Sequence, residues 1–400
     1  MCFLFKVKNS GGIEENQGSP IPFASFRRPI LSIRSDRVHS MESDHDSSAK
    51  ESEIDSFQKQ VFNRFQGLSD VNADEFLSIT WIRNLLDAFS CCQDEFRVIL
   101  CNNKAQLSKP PLDRLTFEFF ERSIKALDIC NATRDGIEKI RVWQKHLDIV
   151  LCALDSQQMV LGEGQVRRAR KALMDLALVM LDEKETGSVF SHRNRSFGRR
   201  NKSKDHHTRQ SGHSRSLSWS VSHSWSAAKQ LQVISNTLIP PRANEIVATN
   251  GLAIAVFTMS YVLMFVLWAL VAAIPCQDRG IQIHFSIPRQ FQWGIPLNLL
   301  HGRIMEESKK QDRRNSNGLL REIYQIEKCV HRLTDLLDAA QFPLKEEQKE
   351  ELSQGVQELS SVCSVCKNVM DPFERQLREV FRQIMSCRTE GLEFLGVANS

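Results

Sequence analysis

A long uncharged apolar segment limits the folds open to this chain more than any other feature. Residues 246–277 contain no Asp, Glu, Lys or Arg, and the part from Leu252 to Ile274 is almost wholly apolar. Those 23 residues, at a helical rise of about 1.5 Å each, reach about 35 Å, enough to cross the roughly 30 Å hydrocarbon core of a bilayer. The segment is predicted to be one long apolar helix, either in a membrane or at the centre of a large bundle.

The membrane interpretation rests on the length of this segment and its lack of charge. Amphipathic Tyr261 and Trp268 also suit a bilayer, although neither sits cleanly at an end, and Asn250 makes the start of the segment polar. The residues predicted for the membrane segment are Leu252, Phe257, Tyr261, Leu263, Phe265, Leu267, Trp268 and Ile274. We therefore expect a single-pass membrane protein with cytoplasmic domains, or a cytosolic protein if the helix is buried.

Composition and charge exclude some classes of protein. The 400 residues are 42% apolar and 25% charged, which is ordinary for a globular chain long enough for two domains. The net charge of +4 is unevenly placed, because residues 186–226 hold eight Lys or Arg against the single Asp205. The remainder is slightly acidic, so a nucleic-acid partner is not expected.

Helical periodicity dominates on both sides of the apolar segment. After a lead-in at residues 1–52, predicted to be disordered, apolar residues recur at spacings of three and four through residues 53–185 and predict an N-terminal helical bundle. Residues 317–396 show three further apolar stripes, separated by breaks at Phe342-Pro343 and Asp371-Pro372. They predict a C-terminal three-helix bundle whose last helix starts at Asp371-Pro372.

The residues between these bundles divide into four parts. Residues 186–226 contain twelve serines and five histidines without an aliphatic stripe, and are predicted to be a disordered basic linker. A short helix and a proline break (227–245), the apolar helix (246–277) and a connecting segment (278–316) follow. The predicted fold is therefore all-α: two helical bundles joined by the disordered basic linker and one long apolar helix that is expected to span a membrane.

No residue pattern predicts a reaction. Cys363 and Cys366 form one C-x-x-C, but both lie on an apolar stripe and lack two further local ligands, which favours a place in the core. His206, His207 and His213 lie in the basic linker, which offers no preformed metal geometry. Catalytic motifs are lacking, so we predict no enzyme activity, cofactor or metal.

The basic linker carries a repeated pattern that suits phosphorylation. Ser196, Ser203 and Ser218 each follow an arginine by three residues, an arrangement that basophilic kinases favour. A phosphate at each serine would add up to about two negative charges and cancel local positive charge. These three serines are the predicted phosphorylation sites.

Five unbroken runs of the sequence are distinctive: residues 81–89, 102–113, 130–137, 215–220 and 272–280. These runs resemble the plant BYPASS-related and Roh-type protein family, and the likeness extends from about residue 17 to the C-terminus. The resemblance implies a helical, non-enzymatic plant protein with one membrane-spanning segment at Leu252 to Ile274. The family offers no catalytic residues to carry over.

The two branches of this family imply different roles. Roh-type members, which the chain resembles more closely, are associated with the seventy-kilodalton subunit of the exocyst, the complex that tethers secretory vesicles to the plasma membrane. The BYPASS branch implies instead control of the production or movement of a root-derived signal that arrests growth. We expect an adaptor in vesicle tethering and polarised secretion; the BYPASS-like role is the alternative, and the oligomeric state is not predicted.

Overall fold

The described part of the protein is wholly helical. The structure, a computed structural model, describes residues 43–155, 161–185, 226–276, 281–284 and 286–396. Within these ranges it contains no β-strand. The α-helices are α1 (Ser43–Ser69), α2 (Ile79–Asn102), α3 (Lys104–Leu107), α4 (Leu112–Leu154), α5 (Glu163–Glu185), α6 (Ala227–Asn236), α7 (Ala243–Ala248), α8 (Leu252–Ala273), α9 (Gly294–Lys309), α10 (Arg321–Asp338) and α11 (Glu346–Phe394). The predicted all-α class with one long apolar helix is confirmed.

Side chains satisfy the free backbone N–H groups at the start of several helices. The Ser78 hydroxyl accepts a hydrogen bond from the Trp81 N–H at 3.1 Å, and Ser226 accepts from the Lys229 N–H at 3.2 Å. Such caps fix helix starts because the first turn has no intrahelical acceptors. The carboxylate of Glu322, on α10, also accepts from the Ile79 N–H at 3.0 and 3.2 Å, which ties α2 to a distant helix.

Helix α8 coincides with the predicted apolar helix and lies at the centre of the core. It begins after a turn in which Asn250 and Gly251 have φ values of 48° and 84°. These left-handed conformations separate α8 from α7, so the apolar stretch from 246 to 277 is not one continuous helix. Helices α2, α4 and α6 pack along α8.

The prediction that a new helix begins at Asp371-Pro372 is wrong, because α11 continues through Pro372. An internal proline removes one intrahelical hydrogen bond. Tertiary contacts hold the helix on both sides of that position: Met370 and Phe373 are buried, and Arg141 of α4 pairs with Asp371 at 2.7 Å and with Glu374 at 2.6 Å. Residues 317–396 therefore form two helices, α10 and α11, where three were predicted.

Two other helices differ from the prediction. Helix α1 begins at Ser43, inside the segment predicted to be a lead-in, because extending an existing helix costs little once its first turn has formed. Helix α9 lies in the predicted connecting segment, where Leu297, Leu300 and Ile304 form a short buried stripe. The predicted disordered linker, apart from Ser226, lies outside the described residues, as do residues 1–42.

Helices from the two predicted bundles share one apolar core. The described residues from Asp44 onward form one compact unit, and their buried apolar side chains form one contiguous cluster. The closest association between the two halves is α11 along α4, supported by Lys367 with Asp148 at 2.6 Å. This packing differs from two separate bundles because α11 packs directly on α4 and also on α2.

Candidate functional site

The predicted membrane residues all lie inside the protein. Among the described residues, α8 is the one helix long and apolar enough to cross a membrane, with 22 residues and a mean hydropathy of 2.3. The same length and composition suit the core helix of a soluble protein. All eight predicted residues, Leu252, Phe257, Tyr261, Leu263, Phe265, Leu267, Trp268 and Ile274, are buried, with at most 5% of each exposed.

Aromatic side chains cover the first half of α8. Phe257 packs against Phe291 and Trp293 at ring-centroid distances of 5.3 and 6.0 Å. The Tyr261 ring also contacts Trp293, and its hydroxyl accepts a hydrogen bond from the Ser286 N–H at 2.8 Å. Because aromatic rings bury large areas, the segment before α9 shields this side of α8 from its surroundings.

The second half of α8 is covered by α1, α9 and α4. Phe65 of α1 meets Phe265 edge to face at 5.8 Å, and His301 of α9 packs on Trp268 at 4.7 Å. At the C-terminal end of α8, Gly136 lets α4 approach Ile274 closely. A Cβ atom there would lie 2.5 Å from Ile274 Cγ2, closer than real side chains come. The position therefore requires glycine.

A buried arginine binds the middle of α8. Arg122 of α4 is 7% exposed, and its Nη2 donates to Ser260 Oγ at 3.2 Å. Its Nη1 lies 3.4 Å from the Thr237 carbonyl and 3.9 Å from Glu118. Burial lowers the pKa of Arg122 to about 10, which leaves it charged at neutral pH. A cation is costly in hydrocarbon, so this contact suits a protein interior.

An exposed apolar stripe on α5 is the surface that most resembles a binding site. Met174, Leu178 and Leu181 are 62%, 55% and 52% exposed. Their spacing of four and three places them on one helix face, while Leu173 and Leu176 are buried on another. Exposed Arg167 and Lys171 precede them at the same helical spacing. We call these five residues the α5 stripe.

The sequence pattern did not predict the α5 stripe. Apolar spacing predicted a helical bundle over residues 53–185 but did not separate the exposed apolar positions of α5 from the buried ones. The available signal was that Leu and Met occupy more than one face between Met174 and Leu181. A helix with one partner needs only one apolar face, so a second face indicates a second partner.

The remaining candidate residues of the sequence analysis divide into two groups. Cys363 and Cys366 are buried on α11, and burial raises their pKa values to about 11 and 12, as expected for core thiols. No cluster of His, Cys, Asp and Glu able to hold a metal occurs in the described ranges. His206, His207, His213 and the predicted phosphorylation sites Ser196, Ser203 and Ser218 lie outside the described residues.

Comparison with known proteins gives a consistent set of relatives. A family model described as "Protein ROH1-like" matches residues 20–395. Protein ROH1D of Arabidopsis thaliana is 53% identical over 385 residues, which cover 93% of this chain and 96% of that protein. Protein ROH1A of the same plant is 35% identical, with 96% of each chain covered.

A more distant relative matches a smaller part of the chain. UPF0496 protein 4 of Oryza sativa subsp. indica is 22% identical over 276 residues, which cover 68% of this chain and 51% of that protein. No solved structure matches the chain at a significant level. The names of these relatives assign no enzymatic activity.

Proposed function

Because this chain belongs to the ROH1-like family of plant proteins, we propose that it is a non-enzymatic adaptor that binds the exocyst and acts in vesicle tethering and polarised secretion. The proposed partner is the seventy-kilodalton exocyst subunit, which the resemblance to Roh-type proteins indicates. The α5 stripe is the observation that carries the proposal.

The α5 stripe suits recognition of an amphipathic helix. Three apolar anchors spaced four and three residues apart match the pattern by which a helix contacts a partner helix. Helix α5 is fixed from behind, because its opposite face, with Leu173 and Leu176, is buried and the helix packs along α4. A rigid surface loses little conformational freedom on binding, which favours affinity. Arg167 and Lys171 select a partner helix with carboxylates beside its apolar face.

We assign α8 a structural role within this adaptor. Helices α2, α4 and α6 pack along it, and its buried contact with Arg122 would be lost in a bilayer. Membrane association then comes through the exocyst and not through a span. Washing plant membranes at high pH tests this point: we expect release of the protein into the supernatant, whereas retention in the pellet would show that α8 spans the bilayer.

Binding to the purified exocyst subunit tests the partner surface. The double variant Met174→Asp/Leu178→Asp places two charges on the α5 stripe, and we expect its affinity to fall by about tenfold or more, because charged residues are unfavourable at the buried centre of an interface. Val365→Asp is the matched control, since Val365 is 49% exposed on α11. Isothermal titration calorimetry measures both, and circular dichroism checks folding. Equal affinities for all three proteins would refute this surface.

A further inference from the structure

A second surface site lies between α4 and α11. Seven side chains line a cleft of about 250 Å³: Cys130, Asn131 and Arg134 from α4, with Leu377, Arg378, Phe381 and Arg382 from α11. Arg134, Arg378 and Arg382 are exposed at its rim, whereas Cys130 and Leu377 are buried at its floor. We call this the arginine cleft. It shares no residue with the α5 stripe, so it is independent of the proposed function.

The arginine cleft offers positive charge without a carboxylate in its lining. Its residues comprise three guanidinium groups and one amide as the strong hydrogen-bonding groups. The Cys130 thiol adds no negative charge, since burial raises its pKa to about 12. A ligand that enters the cleft therefore meets donors and apolar surface. This combination suits an anion attached to an apolar group.

Each arginine already has one carboxylate neighbour on its own helix, outside the lining. Arg134 Nη2 lies 3.5 Å from Asp135, Arg382 Nη1 lies 2.6 Å from Glu379, and Arg378 Nη2 contacts Glu374. Each of these pairs uses one terminal nitrogen, whereas a guanidinium carries five N–H donors. The pairs of Arg134 and Arg382 are exposed and contribute little stability, so a stronger anion can compete for these two groups. Glu374 is buried and pairs with Arg141 as well, so Arg378 can turn part of its donor fork towards the cleft while Glu374 keeps a partner.

We propose that the arginine cleft binds a phosphoserine side chain that is followed in its peptide by an apolar or aromatic residue. A phosphomonoester carries up to about two negative charges and three acceptor oxygens, which match the forked donors of several arginines better than one carboxylate does. Leu377 and Phe381 provide the surface for the following residue. The volume is small for a drug-sized ligand but admits a phosphate and one side chain.

The chain itself contains a peptide of this chemistry. Ser218 follows Arg215 by three residues, as basophilic kinases favour, and Trp219 comes next. A synthetic peptide covering residues 211–223 therefore serves as the probe, with Ser218 phosphorylated or unmodified. The proposed occupant of the cleft is this phosphorylated segment of the chain itself, and a comparison of two forms of the whole chain tests it against a phosphoserine of another protein.

Fluorescence anisotropy with the labelled peptide and the full-length unphosphorylated protein tests the proposal. We expect phosphorylation of Ser218 to raise the affinity by about tenfold or more, which corresponds to one or two hydrogen bonds with charged groups. Free inorganic phosphate should compete only weakly, because it makes no use of the apolar floor. Equal binding of the two peptides would overturn the proposal.

Variants locate the binding site. Arg378→Gln/Arg382→Gln removes the charge contributed by α11, and Arg134→Gln removes that of α4; each should lower the affinity for the phosphopeptide but not for the unmodified peptide. Arg375→Gln is the matched control, since Arg375 is exposed on α11 outside the lining. An equal loss with the control variant would refute the cleft as the site. Circular dichroism confirms that the variants fold.

The final comparison identifies the source of the phosphoserine. If the chain's own Ser218 occupies the cleft, full-length protein phosphorylated at Ser218 should bind the labelled phosphopeptide several-fold more weakly than the unphosphorylated protein. Unchanged binding would assign the cleft to a phosphoserine of another protein. Both results presuppose phosphopeptide binding that depends on the three arginines.

Discussion

Replacement of Phe265 by alanine measures what the burial of α8 contributes to the stability of the fold. Phe265 is fully buried, with Phe65 at 5.8 Å and Trp268 at 6.0 Å between ring centroids. Buried Phe→Ala changes cost about 3–5 kcal/mol, and two aromatic neighbours place this position in the upper part of that range. We expect a loss of about 4 kcal/mol, or about a thousandfold in the ratio of folded to unfolded protein.

Urea denaturation followed by circular dichroism is the assay. The midpoint of the Phe265→Ala variant should fall with little change in the slope, since the surface exposed on unfolding is nearly the same. Leu178→Ala, on the α5 stripe, is the control and should shift stability by less than about 0.5 kcal/mol because its side chain is already 55% exposed. A loss below about 1 kcal/mol for Phe265→Ala would refute the reasoning, since a ring facing lipid contributes little to unfolding in water.

Three further predictions follow from packing, hydrogen bonding and protonation. Gly391→Ala should destabilise the protein by about 1–3 kcal/mol in thermal denaturation, because the added Cβ atom would lie 1.8 Å from Phe120 Cζ. Gly67→Ala is the contrast: its added Cβ atom would have no neighbour within 4 Å, so this variant should stabilise α1 by about 0.5–1 kcal/mol. Burial raises the pKa of Glu322, which means that the charged carboxylate is unfavourable at this position, so Glu322→Gln should be at least as stable as the natural protein at pH 7. Glu322→Ala should lose about 1–3 kcal/mol, because it leaves the Ile79 N–H without that acceptor. Burial also raises the pKa of Cys366 to about 12. The thiol of the unfolded chain, with a pKa of about 8.5, loses its proton at a lower pH than the folded one. The contribution of Cys366 to the free energy of unfolding is therefore fully present below about pH 8.5 and is lost as the pH rises towards 12. The urea midpoint should therefore fall less steeply between about pH 8 and pH 10 in Cys366→Ala, and an unchanged slope would contradict this account.

Periodicity predicted most helices of this protein but not how they pack. The spacing of Leu319, Ile323 and Ile326 indicated a buried stripe, and all three residues are buried in the structure. The same pattern did not reveal that α11 lies along α4, because a stripe shows which face is covered and not which partner covers it. Pro372 misled the prediction for a related reason: its local cost is offset by tertiary contacts that the sequence does not display.

The two candidate sites lay beyond the reach of sequence reasoning for different reasons. The α5 stripe became visible only when exposure separated Met174 and Leu178 from buried neighbours of the same chemistry. The arginine cleft brings Arg134 together with Arg378 and Arg382. Arg134 lies more than 200 residues before the other two in the sequence, and they meet because the long helices α4 and α11 pack together. The composition of α8 predicted a long apolar helix, but it did not show whether lipid or protein surrounds that helix.

The hydrogen bonds at the end of α8 have a consequence for biosynthesis. Leu319 and Leu320 donate their N–H groups to the Ala272 and Ala273 carbonyls at 3.1 and 3.0 Å, so the last turn of this helix is completed by chain that is translated later. Translation adds roughly 5–20 residues per second, which leaves these two carbonyls without these donors for several seconds after the helix is made. A polypeptide terminated before Leu319 would lack these two hydrogen bonds for its whole lifetime.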